Sequence, residues 1–531
     1  MKKIGATITL LASFLLAGGE YADASYGLYI GKNLTADGSV MLGGTGDEVS
    51  GHWIVIAPRK QHEPDATIQV GVTEAAVIPG ELIEIPQVET TYKYIAHYYS
   101  NWEGFPPPLT NGGLNEYQVA ARDIWSPSRP ELIDMTKTPQ HGLNYSDLSR
   151  IVLQRAKTAQ EAVDVVGKLI DEYGYATYGG NSHLFADPNE GWVLVDYAGS
   201  QGLWVAEHLG PDEVRLNYPG YINAIDPEYI DFENLKLKEN SEYKASDNFI
   251  SFAVDQGWYD PDSGEAFEVN EIYGDSVGTH KVLGETKGEK VINPLTGEEV
   301  TNTTVADFEQ HMRDMAPITL EKMMELVRTP LLSDDSNGYG EVTGLREGLE
   351  HKELACIWMA PTGSVTSPFI PFYIGTQEVP MEYAQHRYLY RGADATYLTT
   401  DYQIQEGTTF AARIFKQLMY FTLDRPEEFL PEVNTALKGF EQNMINEQEK
   451  VLDISSTLIE NDKMSRAKEY LTDYTAMKAD DALELGRGLL SGVWARTEAQ
   501  YGLRRPKGDQ IQKLDYNMIN GLIHKGEEEE D

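Results

Sequence analysis

Ser25 is the residue on which chemistry can be built first. It follows Ala22-Asp23-Ala24, and upstream lie Lys2 and Lys3, then the apolar run Ile4 to Leu16. These are the parts of a secretory leader, with small residues where a signal peptidase reads. Cleavage after Ala24 would make Ser25 the new N-terminus. A terminal serine carries a hydroxyl nucleophile and a free α-amine on one residue, and an amine with an unperturbed pKa of about 7.7–8 is a usable base at neutral pH. Small polar residues also commonly follow leader cleavage sites, so Ser25 needs support from its surroundings. Whether a peptidase or the chain itself makes the cut stays open.

The elements that must hold Ser25 begin at once. Tyr26 to Ile30 is an apolar, aromatic run ended by Gly31, and Asp37-Gly38-Ser39 is a turn before Val40-Met41-Leu42. The pattern is strand, turn, second strand, which puts the nucleophile at the tip of a buried hairpin strand. His52–Ala57, Thr67–Val72 and Thr91–Tyr98 read as further strands, and Gly112-Gly113-Leu114-Asn115-Glu116 as a turn leading into Gln118-Val119-Ala120-Ala121. Helical stripes follow from Ser146 to Ala156 and from Ala159 to Ile170, the latter with Ala162, Val163, Val166 and Leu169 on one face. Strands return at Ser182–Ala186, Gly191–Val195 and Leu203–Ala206. Tyr229 to Lys322 reads as polar and turn-rich; Asp260-Pro261-Asp262-Ser263-Gly264 echoes a calcium loop but has Glu265 where the loop needs glycine, so a plain turn is expected. The last strong strands are Ala355–Ala360 and Phe369–Ile374. Helices are then expected over Phe410–Phe421, Pro426–Leu452, Ser465–Tyr474 and Ala479–Tyr501, before an acidic tail.

Composition bounds the function. The 531 residues include 84 acidic and 43 basic side chains, a formal charge of −41, which argues against nucleic-acid or anionic-membrane partners because their phosphates would be repelled. An acidic cleft could instead attract the free amine of a peptide, although a solvated acidic surface explains the charge equally. Hydrophobic residues at 41% support a packed core, and no apolar run after the leader reaches spanning length, so no membrane insertion is expected after leader removal. The lone cysteine, Cys356, excludes an intramolecular disulfide and, within an apolar strand, reads as an inert buried thiol. No metal-ligand spacing such as His-Glu-x-x-His occurs.

From Ser25 onward the chain resembles the bacterial dipeptidase A-like N-terminal-nucleophile hydrolases, a family that includes the secernins. The similar segments are Ser25 through Ser39; Gly113-Leu114-Asn115-Glu116 with Gln118-Val119-Ala120; Gly180-Asn181-Ser182 with Ala186-Asp187-Pro188 and Trp192-Val193-Leu194; and Thr366-Ser367 through Pro371-Phe372-Tyr373. The resemblance implies an α+β fold, a four-layer αββα sandwich with additional C-terminal helices, and the nucleophile at the start of an inner strand. It also implies hydrolysis of a peptide or related amide bond without metal or organic cofactor. Two departures stand out. The family's usual nucleophile is cysteine where this chain has Ser25, and Gly44 occupies the place of an arginine, while Asp47 keeps the acid three positions on.

Roles follow. Ser25 would attack the scissile carbonyl, with its own amine moving the proton. Asp47 would orient that amine or bind a substrate amine; capping a turn before Glu48 is the alternative. Asn181 and Asn217 are the oxyanion-hole candidates, because a side-chain amide donates to developing negative charge without titrating; each could instead satisfy a local turn. Asn217 follows Val214-Arg215-Leu216, where the family carries an asparagine at a strand end. Arg122 is the substrate-binding candidate, with a surface ion pair to Asp123 as its alternative.

The expected organisation is a leader over 1–24, a hydrolase domain over 25–407, a helical region over 408–525 and an acidic tail over 526–531. The expected function is a secreted or periplasmic serine-type dipeptidase acting on small peptides, with self-association left open. The alternatives are a secreted binding protein that kept the fold and lost catalysis, and an acylase or amidase of non-peptide amides.

Overall fold

Tyr26–Ile30 (β1) is buried at every position, and its two faces serve different cores. Leu28 and Ile30 pack with Met323, Val327 and Phe308 on one side, while Tyr29 joins Leu184, Val193 and Leu209 on the other. Alternation along a strand produces this split, and full burial of each such apolar side chain stabilises by about 1.5–3 kcal/mol. β1 is therefore an inner strand between two apolar layers.

The computed structural model describes residues 25–47, 52–99, 104–239, 242–274, 282–285, 291–292, 299–300, 302–333, 337–384 and 410–502. The expected leader, the 407/408 boundary and the acidic tail lie outside the described residues. Among strands of the two principal sheets and helices of nine residues or more, β1 is followed by β2 (Val40–Asp47), β3 (His52–Ala57), β4 (Tyr94–Tyr99), β5 (Leu109–Asn115) and β6 (Ala120–Ser126). Next come α1 (Tyr145–Arg155), α2 (Ala159–Tyr173), β7 (Gly180–Ala186), β8 (Gly191–Tyr197), β9 (Trp204–Leu209), β10 (Val214–Asn217) and β11 (Tyr243–Ala245). The chain continues with α3 (Val305–Asp314), α4 (Leu320–Arg328), β12 (Asn337–Leu345), β13 (Cys356–Ala360) and β14 (Ile370–Tyr373), then α5 (Ala411–Leu423), α6 (Pro426–Glu460) and α7 (Met464–Tyr501).

The smaller sheet has the order β10-β1-β2-β12-β13-β14 and the larger β11-β9-β8-β7-β6-β5-β4-β3, every pair antiparallel. The sheets meet face to face: a Cβ built on Gly27 would come 2.9 Å from Leu184 Cδ2. α1 and α2 cover the outer face of the larger sheet through Leu148, Val152, Val163 and Val166 against Phe185 and Leu194. α3 and α4 cover the smaller one through Phe308, Met323 and Val327. The N-termini of α1 and α2 follow local chemistry: Asn144 and Thr158 cap them, Asn144 in a reciprocal box with Asp147. The late helices share the apolar core of β13 and β14, with Tyr383 Oη donating to the Ala479 carbonyl and Thr475 Oγ1 to that of Pro371. Mixed α/β architecture is thus established directly.

Three expectations are corrected, and one strand has no counterpart in the sequence reading. Gly112-Gly113 is not a turn but the middle of β5; at Gly112 φ is +136° and an added Cβ would sit 1.8 Å from the Ala121 carbonyl oxygen, so glycine marks a close strand approach. Within Tyr229–Lys322 the structure has α3 and the start of α4. Their signals were local and readable, a Thr304–Asp307 capping box and the Thr319 cap. The strand β12 lies between β2 and β13, and its glycines hide it from a search for β-branched runs. The two helices expected after Ser465 are one, 38 residues long. Asp260–Gly264 is the expected turn, with Asp260 Oδ1 accepting from the Asp262 amide. Cys356 is buried, and burial pushes its thiol up.

Candidate active site

Ser25 is half-buried immediately before β1, and strand alternation carries it to the face of Gly27, toward the larger sheet. Gly27 is flanked in register by Asn217 of β10 on one side and Gly44 of β2 on the other. Those two neighbours define the floor beside Ser25.

Asn217 is fully buried, and its Cβ lies 3.7 Å from the position a Gly27 Cβ would take. Its Oδ1 accepts from Ser182 Oγ at 3.0 Å, while Nδ2 is enclosed without a hydrogen-bond partner. A buried unsatisfied donor costs about 1–3 kcal/mol, so Nδ2 is a group with unused donor capacity beside β1. β10 itself is held hard. Arg215 reaches across to Glu207 of β9 with contacts of 2.8 and 3.1 Å, and the Leu216 amide donates to Glu309 of α3.

On the Gly44 side the space is taken by Arg122 of β6. Its Nε lies 3.2 Å from a Cβ built on Gly44, Nη2 donates to the Thr45 carbonyl at 2.6 Å, and Nη1 donates to Tyr339 Oη at 2.6 Å and stands 2.9 Å from Glu341 Oε1. Arg122 is fully buried, so the alternative of a surface ion pair with Asp123 does not hold. Asp123, next along β6, points to the opposite face, where Asn111 Nδ2 donates to it. Burial alone would raise the Glu341 carboxyl, but Arg122 and the neighbouring His97 outweigh it and hold it below the usual range. His97, whose Nδ1 is 3.8 Å from Glu341 Oε2, is fully enclosed; burial pushes it down to about 4 despite Glu341, so it is neutral at neutral pH. The His52 and His97 rings sandwich toward Tyr339, at 4.9 and 4.5 Å between centroids.

Asn181 is not brought to this place. In β7 its neighbours Ser182 and Leu184 face the smaller sheet, so Asn181 and His183 face α1, where Ser149 Oγ is 3.4 Å from His183 Nδ1. There Asn181 Nδ2 is 3.2 Å from His183 Nε2, which also pairs with Asp196 Oδ2 at 3.1 Å. The Ser149–His183–Asp196 succession has the membership of a catalytic triad, yet all three are buried where α1 meets the larger sheet, out of reach of a substrate. Asp47 ends β2 opposite Asn337, after a bulge; its side chain lies outside the described residues. The structure thus brings Asn217 and Arg122 to either side of Gly27, two residues on from Ser25, and leaves Asn181 on the other face. Glu341, Tyr339, His97 and Ser182 were missed. Three of them sit on strands whose glycines or partners gave no local hint, whereas Ser182 stood next to a chosen residue.

A family profile described as Peptidase family C69 matches residues 24–404, well over half of the chain. The chain belongs to peptidase family C69. Among curated relatives of this C69 protein, a probable dipeptidase B from Streptococcus pyogenes serotype M3 is 29% identical over 254 residues, 46% of each chain. A probable dipeptidase from Salmonella dublin is 26% identical over 252 residues, 46% of this chain and 52% of that one. A probable dipeptidase B from Lactococcus lactis is 23% identical over 387 residues, 67% and 75% of the two chains. The chain spans about half the length of the first of these relatives. A solved variant of the conjugated bile acid hydrolase from Clostridium perfringens overlaps 67% of the C69 chain and 93% of its own at 10% identity, but with a TM-score of 0.30 this likeness carries no argument.

Proposed function

We propose that this C69 protein is a serine-type N-terminal-nucleophile dipeptidase, exported and active once Ser25 is the first residue. The finer architecture that goes with this reading is the four-layer αββα sandwich of such hydrolases. The observation that carries it is the placement of Ser25 at the head of an inner strand, beside Asn217 with an unused buried donor. The dipeptidase names of the relatives support the substrate class, and the leader pattern ending at Ala24 supports a secreted or periplasmic location.

In this mechanism Ser25 Oγ attacks the scissile carbonyl and its proton passes to the Ser25 α-amine. The carbonyl oxygen gains negative charge, which Asn217 Nδ2 stabilises. The C–N bond breaks as the amine returns the proton to the leaving peptide nitrogen. Water then adds to the ester, giving its proton to the same amine, and the acyl group leaves as a carboxylic acid with Ser25 regenerated. Arg122 serves as a positioning residue in this reading. Its Nη atoms are engaged by Thr45, Tyr339 and Glu341, so it acts by fixing the backbone of β2 beside Ser25.

The test is dipeptide hydrolysis by processed Ser25→Ala, with its terminus sequenced and its melt recorded. Turnover should vanish while folding persists; hydrolysis at the wild-type rate overturns the reading. Ser25→Cys should keep activity and become sensitive to alkylation.

A further inference from the structure

Far from the intersheet floor, two modules of the chain bring metal-type ligands together. Glu350 and His351 lie in the loop after β12, and Glu460 is the last residue of α6. One ligand atom from each, two carboxylate oxygens and an imidazole nitrogen, lies within 4.8 Å of the others. The imidazole is more telling than the carboxylates. His351 Nε2 is screened from solvent and has no hydrogen-bond partner, although burying such a nitrogen unsatisfied is costly.

The local electrostatics also favour a cation. Two like charges meet at the C-terminal end of a 35-residue helix, whose dipole is negative there, and no basic residue stands in its last turn. Of the lysines nearest in sequence, Lys352 of the loop pairs with Glu116, and Lys463 stands three residues beyond Glu460, outside the last turn of α6. A cation supplied from solution would answer both the repulsion and the unsatisfied imidazole.

We propose that Glu350, His351 and Glu460 bind a divalent transition-metal ion of the zinc class, which pins the end of α6 to the loop after β12. One nitrogen and two oxygens suit such an ion, whereas calcium or magnesium would call for oxygens alone. Bonds of about 2.0–2.2 Å bring ligand atoms to roughly 3–3.5 Å of one another. The exposed glutamates reach that spacing by side-chain rotation, with water completing the shell. The ion is structural: it joins the sheet module to the helical pair and touches none of the residues around Ser25.

The experiment uses the untagged, full mature chain, stripped with EDTA and dialysed free of it, titrated with zinc chloride by calorimetry and melted with and without zinc. The expected result is one saturable equivalent and a raised melting temperature. His351→Ala and Glu460→Gln should each lose affinity by at least ~10-fold, the loss that even outer-shell substitutions cause, and should lose the zinc-dependent rise in melting temperature. No saturable binding to the wild type overturns the proposal. So does binding and stabilisation unchanged in both variants, which would put the metal at other histidines. Neither readout depends on hydrolysis, so the outcome is separable from the dipeptidase reading.

Discussion

Arg122 of the larger sheet and Glu341 of the smaller one form an ion pair across the space between them, Nη1 to Oε1 at 2.9 Å, with both side chains shut off from solvent. Such a pair is dangerous to break singly, because the survivor keeps a buried charge with no partner. Arg122→Met should cost about 3–5 kcal/mol in urea unfolding, and Arg122→Met with Glu341→Met distinctly less. Equal losses in the single and double variants would show that the pairing is not what Arg122 contributes.

Asn217→Ala should lower kcat for dipeptides by about 10²–10³ with little change in KM, the signature of a donor that acts on the transition state. Its loss of the Ser182 hydrogen bond should cost only about 1 kcal/mol of stability. A variant with wild-type kcat would remove Asn217 from the mechanism.

His97 makes stability pH-dependent in a definite window. Its folded pKa is pushed down to about 4 from 6.5, so the unfolded chain takes up the proton first. The stabilisation is complete above pH 6.5 and is lost as pH falls through 6.5 toward 4, on the order of 3 kcal/mol in all. Glu341, held below the usual carboxylate range, loses its contribution only at lower pH, beneath about 4.5. Denaturant midpoints between pH 7 and 4 should therefore fall in wild type and stay flatter in His97→Gln. Parallel slopes would contradict the assignment.

Gly44→Ala should destabilise severely, by about 3 kcal/mol, because the new Cβ would stand 2.0 Å from the Tyr26 carbonyl oxygen and 3.2 Å from Arg122 Nε. Gly439 in α6 is the contrasting position. Nothing lies within 4 Å of its added Cβ, so Gly439→Ala should raise stability by about 0.5–1 kcal/mol through helix propensity alone. Thermal melts of the two variants decide both points.

Local pattern in the sequence was enough for the hairpin that opens after Ser25, most strands of the larger sheet, and α1 and α2, since apolar periodicity and caps act within a few residues. It was also enough for the likeness to a hydrolase family, which the C69 profile supports. It failed at β12, a strand carrying glycines at 338, 340 and 344 whose identity depends on β2 and β13 on either side of it.

Only the tertiary structure decided what flanks the strand that follows Ser25. Asn217 arrives through the pairing of β10 with β1, and Arg122 through the meeting of the two sheets, contacts between residues far apart in the chain. Asn181 and Ser182 show the reason most plainly. They are adjacent in one strand, yet Asn181 joins His183 beneath α1 while Ser182 donates to Asn217 in the intersheet space. Successive side chains of a strand point to opposite faces, so a sequence motif can be right to within one residue and still name the wrong side of the sheet.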